Sequence, residues 1–489
     1  MIIIFLAARM SQLNNVLSRI GEFGPFQQRV YLVLSIVTVL RCCQMFLLVY
    51  VADKPPWKCV SRNAGMVFDS EDFPCLENGS SCEDMQFSDE FTSIVSEWHL
   101  VCDEEVKRRF ASAVVMTGCL LGALLFGGMA DNRGRKTTII ILVSISSMSC
   151  LASGFVYSFN QFVILRFITA ATLNGASTAV FVLISEIVGQ SVKDVALSGY
   201  QGVYAFGYVV LSVCAYFVRD WRYLTILTSF PLLLCSLFLL RQGLCESPLW
   251  LLVNGRLNEC KLLIKEIART NGKNISESTL EKLSLDVPVA DGKNSSQSLS
   301  HPDNIKKIFI LSGVWLLFSM LYYGLSFVSG SLSNNKYLSF SLSGIIEIPA
   351  LLSTKMIQFG RKKPLIWFAL FGSAACFFCA LLQGANQPYV GNVLMICSLF
   401  GKFAVAACYN IIYIFSAEHF AASVRSFSMS VLSVASSLGG ILAPLVLGLE
   451  IFDTKIPLFC FALGAMLAAG LVLPLPETVN KATLYKKDE

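Results

Sequence analysis

Apolar residues along this chain gather in long runs separated by short polar breaks. A helix that crosses a bilayer needs about 20 predominantly apolar residues. Runs of that length stand at roughly 30–51, 110–130, 137–157, 161–185, 198–218 and 222–241. A second series follows at roughly 307–328, 337–357, 365–383, 389–415, 427–449 and 457–475. The pattern predicts an all-α polytopic membrane protein with a tail over 1–29, a six-helix bundle over 30–241, a polar linker over 242–306, a second six-helix bundle over 307–475 and a tail over 476–489. The short apolar start, Met1 to Ala8, is too brief to span and lacks the basic, apolar, small-residue order of a cleaved leader, so it reads as cytosolic tail.

Composition agrees with lipid as the main solvent. Of 489 residues 55% are hydrophobic and 15% charged, with mean hydropathy +0.63, against about 25% charged in a soluble domain. The net charge of +5 is scattered, with no basic tract to neutralise a row of phosphates, so nucleic acid is not an expected partner. The linker holds Lys261, Lys265, Arg269, Lys273, Lys293 and Lys306. The positive-inside rule then puts it in the cytosol with both termini, in a multi-pass protein expected at the plasma membrane. The segment 52–108 falls outside, where its cluster of Cys59, Cys75, Cys82 and Cys102 suggests two disulfides and Asn78-Gly79-Ser80 is a glycosylation sequon.

Between the second and third runs stands Gly127-Gly128-Met129-Ala130-Asp131-Asn132-Arg133-Gly134-Arg135-Lys136, and after the eighth Gln358-Phe359-Gly360-Arg361-Lys362-Lys363. Gly followed by basic residues at the same place in each half predicts two structural repeats. The Gly pair suggests close helix approach, and the charges suggest a clamp at the helix ends. Gln358 in the place of Asp131 predicts a weaker clamp in the second half.

These motifs and several others resemble the major facilitator superfamily, and specifically solute carrier family 22, the organic cation, anion and zwitterion transporters. The resemblance rests on Glu97-Trp98-His99-Leu100-Val101-Cys102-Asp103, on Gly118-Cys119-Leu120-Leu121-Gly122 leading into the Asp131 motif, and on Glu246-Ser247-Pro248-Leu249-Trp250-Leu251-Leu252. It extends through Tyr322-Tyr323-Gly324-Leu325-Ser326, Glu347-Ile348-Pro349-Ala350, Gly401-Lys402-Phe403-Ala404 and Leu475-Pro476-Glu477-Thr478. It covers essentially the whole chain and implies twelve spans and alternating access. Gly401-Lys402-Phe403 and Glu186-Ile187-Val188-Gly189 look most like the carnitine and zwitterion branch. The chain departs from the pattern at Ala417-Glu418-His419-Phe420-Ala421, where many members have Tyr-Pro, and at Ser437, where members often carry a charge.

Ionisable groups inside spans are costly and default to functional hypotheses. Here they are Arg41, Arg166, Glu347 and Lys402. The resemblance places Glu347 and Lys402 near substrate and aligns Tyr204 and Tyr409 with cavity positions. With Trp315 and Tyr322, seven residues apart and near one helix face, these aromatics suit a desolvated cation. The expected site seats a cation on Glu347, Trp315, Tyr322, Tyr204 and Tyr409, and a carboxylate on Lys402 with Arg41. Arg41 could instead snorkel or pair with Glu347, and Arg166 could be structural. Expected gating residues are Asp131, Arg135, Lys136, Arg166, Glu186, Glu418 and Arg425.

His99, His301 and His419 are isolated from metal-ligand partners, and neither a phosphate-cradling loop nor a Gly-x-Ser-x-Gly elbow is present. The sequence therefore predicts a carrier without cofactor, functional as a monomer, for small organic cations or zwitterions. Organic-anion exchange is the nearest rival and a non-transporting sensor or scaffold the next. Uniport, exchange and ion coupling all stay open.

Overall fold

The computed structural model describes residues 13, 15–60, 67–69, 85–242, 244–276, 302–329, 335–353, 360–384, 390–420 and 422–478. The first half comprises α1 (Pro25–Phe46), which α2 (Leu48–Val51) continues, then α3 (Ile94–Trp98), α4 (Glu105–Arg133), α5 (Arg135–Ala152), α6 (Phe159–Ile187), α7 (Lys193–Phe217) and α8 (Trp221–Gln242). Two linker helices follow, α9 (Pro248–Val253) and α10 (Leu257–Thr270). The second half contains α11 (Pro302–Val328), α12 (Lys336–Ile345), α13 (Glu347–Leu351), α14 (Lys362–Leu382), α15 (Val390–His419), α16 (Ala422–Gly448) and α17 (Ile456–Val472).

Among the described residues, 10 helices are long and apolar enough to cross a membrane. The other two expected spans differ for local reasons. The twelfth, α17, has 17 residues, and the eighth is broken at Ile346 into α12 and α13. Pro349 lies just beyond the break and has no N–H to return to the Ile345 carbonyl, so the helical ladder loses a rung there. The first helix starts at Pro25, five residues ahead of its apolar run, because proline is preorganised for the first helical position.

The segment between the first two spans adds a small three-stranded antiparallel sheet ordered β2-β1-β3, with β1 Trp57–Val60, β2 Val67–Asp69 and β3 Met85–Phe87. It stands at the loop end of the bundle, opposite the linker end that carries α9 and α10. Ser93 caps α3 in a reciprocal capping box with Ser96. Glu97 then accepts hydrogen bonds from Trp221 Nε1 at 2.8 Å and from Arg222, tying the Glu97-Trp98 motif to the start of α8.

The Gly127-Gly128 reading is corrected by the packing. A Cβ added at either position would meet nothing within 4 Å, whereas at Gly122 it would lie 2.0 Å from the Ala171 carbonyl oxygen and at Gly118 2.7 Å from that of Phe167. The close approach of α4 to α6 therefore lies five to nine residues before Gly127 in α4, where backbone meets backbone.

The described stretch just before α1, residues 13 and 15–20, is not a loose tail. Leu13, Val16, Leu17 and Ile20 pack with Leu249, Trp250, Leu263, Ile264 and Ile267 in a core formed by α9 and α10. Asn271 fastens it, donating to the Ile20 carbonyl and to Gln27 at 3.0 Å each and accepting from the Phe26 amide at 3.0 Å. Burial pushes the Cys245 and Cys260 thiols of the linker up to about 12, so neither is a reactive thiolate.

Candidate functional site

The break in the eighth span puts Glu347 at the first position of α13, and α15 brings Lys402 to it. Lys402 Nζ lies 2.9 Å from Glu347 Oε1, with the lysine 1% exposed. The ammonium also sits 3.4 Å from the Tyr322 ring centroid and 5.7 Å from that of Tyr208, and it donates to Ser326 Oγ. Tyr322 OH donates to Glu347 Oε2 at 3.0 Å. A carboxylate, an ammonium and two aromatic faces from four spans thus converge on one spot, where a buried charge is tolerable only because its partner is present.

Tyr409 stands beside Tyr322 with centroids 5.5 Å apart, and its hydroxyl is bonded to Ser436. Trp315 lies behind Tyr409 at 5.8 Å, buried at 1% exposure and donating to Ser416 Oγ at 2.9 Å, so it backs the aromatic wall. Ser437 turns inward on its own helix and donates to the Ser433 carbonyl.

Across from this group, Tyr204 packs edge-on against Tyr208 at 6.4 Å, and the Arg41 guanidinium lies 5.1 Å over the Tyr204 ring. Arg41 donates to Asn174 Oδ1 at 3.2 Å. It lines a cavity of about 10 Å³ with Gln44, Cys119, Arg166 and Asn174, room for about one water. Arg166, about two turns into α6, bonds Gln44 through the glutamine's side-chain and main-chain oxygens. The sequence reading missed Tyr208 and Ser326, although each lies four residues, one helical turn, past a residue it had selected, Tyr204 and Tyr322.

At the linker end each half carries a clamp. Arg135 meets Glu186 with Nε to Oε2 at 3.2 Å, and Asp131 at 3.2 Å. Glu246 accepts from the Arg135 and Lys136 amides at 2.9 and 3.2 Å, capping the start of α5. In the second half Arg361 holds Glu418 at 2.9 and 3.1 Å, a fork onto one carboxylate. Glu477 accepts from the Arg361 and Lys362 amides at 2.9 and 3.1 Å, as Glu246 does. Gly134 and Gly360 stand just before the basic pairs Arg135-Lys136 and Arg361-Lys362 at φ 95° and 124°, a region glycine enters without steric cost.

The second clamp is therefore well formed despite Gln358. Asp131 is 73% exposed at its side chain and only flanks the Arg135–Glu186 contact, so its absence from the second half removes little. Gln358 itself lies outside the described residues, as does the side chain of Arg425.

At the loop end, ion pairs join the two halves. Lys336, opening α12, holds Asp53 at 2.6 Å and sits 3.5 Å over the Phe91 ring. Glu450, in the turn after α16, contacts Arg108 at 3.1 Å and also Arg109, both on α4. Tyr50 stacks on Tyr337 at 5.5 Å beneath them. Cys102 is disulfide-bonded, while Cys75, Cys82, Asn78 and the Cys59 side chain lie outside the described residues.

Residues 70–485 match the family model described as sugar (and other) transporter. The chain is 31% identical over 476 residues to organic cation/carnitine transporter 4 of Arabidopsis thaliana, covering 94% of this chain and 87% of that protein. It is 31% identical to human solute carrier family 22 member 13, covering 96% and 91% of the two chains. It is also 31% identical over 411 residues to human organic cation/carnitine transporter 2, covering 82% and 73%. Among solved structures, the inward open conformation of the xylose transporter XylE from E. coli superposes with a TM-score of 0.66 at 17% identity, covering 93% of this chain and 98% of that one. The fold is thus that of a major facilitator, a multi-pass membrane transporter of small molecules and not an enzyme. The chain belongs to that superfamily and, within it, to solute carrier family 22.

Proposed function

We propose that the protein carries small organic cations or zwitterions, of the carnitine or betaine kind, across the plasma membrane by alternating access. The observation that carries this reading is the Glu347 carboxylate beside Tyr322 and Tyr208, already holding an ammonium at 2.9 Å with an aromatic face 3.4 Å away. A quaternary ammonium needs the same chemistry, a carboxylate for charge and π faces in place of water. The carboxylate end of a zwitterion meets Lys402, with Arg41 as the second cation. The relatives named for organic cations and carnitine support the same class. Anion exchange is less favoured, because Glu347 neutralises one of the two cations that motivated it. A purely sensory role loses support from the two complete clamps.

The linker end is read as cytosolic and the loop end as extracellular, with the disulfides and a glycan at Asn78 on the latter side. Arg135, Lys136, Glu186, Glu418 and Arg425 then serve the inner gate along with Asp131. Expressed in oocytes, the protein should take up radiolabelled carnitine or tetraethylammonium, with uptake competed by other quaternary ammonium compounds. Uptake of a dicarboxylate in place of both would overturn the reading.

A further inference from the structure

We propose that Lys402 is the empty carrier's internal substitute for substrate: its ammonium fills the cation seat on Glu347, and this pairing is what lets the unloaded protein reorient. The inference rests on the cation or zwitterion reading of the same site.

An alternating carrier passes through states in which its centre is closed to water on both sides. A buried carboxylate left alone there costs several kcal/mol, whereas a paired and hydrogen-bonded one does not. Lys402 satisfies the requirement from within the chain. Its Nζ is 2.9 Å from Glu347 Oε1 and 3.4 Å over the Tyr322 ring, the two contacts a bound ammonium would make. Ser326 Oγ and the Tyr322 carbonyl, at 3.3 Å, take its remaining protons.

Charge counting gives the consequence. Glu347 and Lys402 sum to zero between themselves in the empty site. Arg41, bonded to Asn174 and lying over Tyr204, adds the same charge to every state. A zwitterion adds zero while giving each member of the pair a new partner. A simple cation takes Glu347 but leaves Lys402 without a carboxylate. The pair therefore selects zwitterions over bare cations and permits net transport, since the empty seat holds no unpaired carboxylate. Without the lysine, the empty site carries an unpaired carboxylate that only a bound cation neutralises, and the carrier becomes an exchanger.

Purified protein in liposomes tests this with radiolabelled tetraethylammonium. Net uptake into unloaded vesicles requires the empty carrier to return, and counterflow into vesicles preloaded with unlabelled tetraethylammonium does not. The ratio of counterflow to net uptake should rise by about tenfold or more in Lys402→Met, in line with an unpaired buried charge. It should stay at the wild-type value in Lys402→Arg, which keeps the charge, and fall back toward that value in the double variant Lys402→Met with Glu347→Gln, whose empty seat no longer holds an unpaired carboxylate. An unchanged ratio in Lys402→Met, or a raised ratio in Lys402→Arg or in the double variant, overturns the proposal. Wild-type vesicles that show neither flux with tetraethylammonium, choline or carnitine would instead overturn the substrate reading beneath it.

Discussion

Replacing Glu450 with Gln tests the loop-end latch between the halves. Glu450 sits in the turn after α16 and holds two arginines of α4, Arg108 at 3.1 Å and Arg109. Arg108 keeps Glu105 at 2.6 Å after the substitution, so Arg109 bears most of the loss. A hydrogen bond between charged groups contributes about 1.5–3 kcal/mol when buried, and an exposed ion pair about 0.2–1 kcal/mol. With side-chain exposures of 17% for Arg109 and 34% for Glu450, the contact falls between these limits, at about 1–2 kcal/mol. It exists only while the loop end is shut, so Glu450→Gln should shift the population toward the loop-open state by a factor of about 5–30. Spin labels at Lys107→Cys and Phe452→Cys, one in each half, report this by double electron–electron resonance. The variant should add a longer-distance component, and Asp453→Asn, which removes a neighbouring carboxylate that accepts from the Lys455 amide within its own turn, should not. A distance distribution identical to wild type in Glu450→Gln would refute the latch.

At the linker-end clamps, Arg135→Ala and Arg361→Ala should each lower turnover several-fold while leaving substrate affinity close to wild type, and Asp131→Asn should do less because that carboxylate is mostly in water; transport kinetics corrected for surface expression would show the reverse ranking if Asp131 were the principal partner. Glu347→Gln should weaken quaternary ammonium binding by about 1.5–3 kcal/mol, as expected for a lost charge-assisted contact, and intact cation binding in a direct titration would count against the site. Gly122→Val forces a side chain against the Ala171 carbonyl and should lower the melting temperature of detergent-purified protein; unchanged melting would mean that α4 and α6 are further apart than described. Mass spectrometry should find Cys59, Cys75, Cys82 and Cys102 in two disulfides, and Asn78→Gln should abolish the glycosidase-sensitive shift in mobility.

The spans were legible because a bilayer demands about 20 apolar residues in a row, a requirement that needs no tertiary information. The sequence did not disclose where the eighth span breaks, although Pro349 marks the vicinity. It placed Glu347 and Lys402 correctly within spans but could not pair them, since 55 positions separate them and only the packing of α13 on α15 brings them within 2.9 Å. Glu246 and Glu477 entered the sequence reading only as parts of motifs. Their role as helix caps follows from the return of distant chain to the starts of α5 and α14. The Gly127-Gly128 pair misled because a small residue reveals that close approach is permitted, and only the neighbouring helix decides where it is used.

The docking of the N-terminal segment onto α9 and α10 has a mechanical consequence. Through Asn271 and the core around Ile264 and Trp250, the linker helices are bolted to the first bundle. They travel with it as the halves rock, so the tether between bundles is much shorter than the stretch 242–306 suggests. A chain severed after residue 276 would leave the first piece with its linker helices already seated. The two pieces would then have to find each other through the loop-end latch, the shared aromatic centre and the packing of α4 on α16 and of α7 on α12, which makes this protein a candidate for a split transporter whose assembly reads out the strength of that interface.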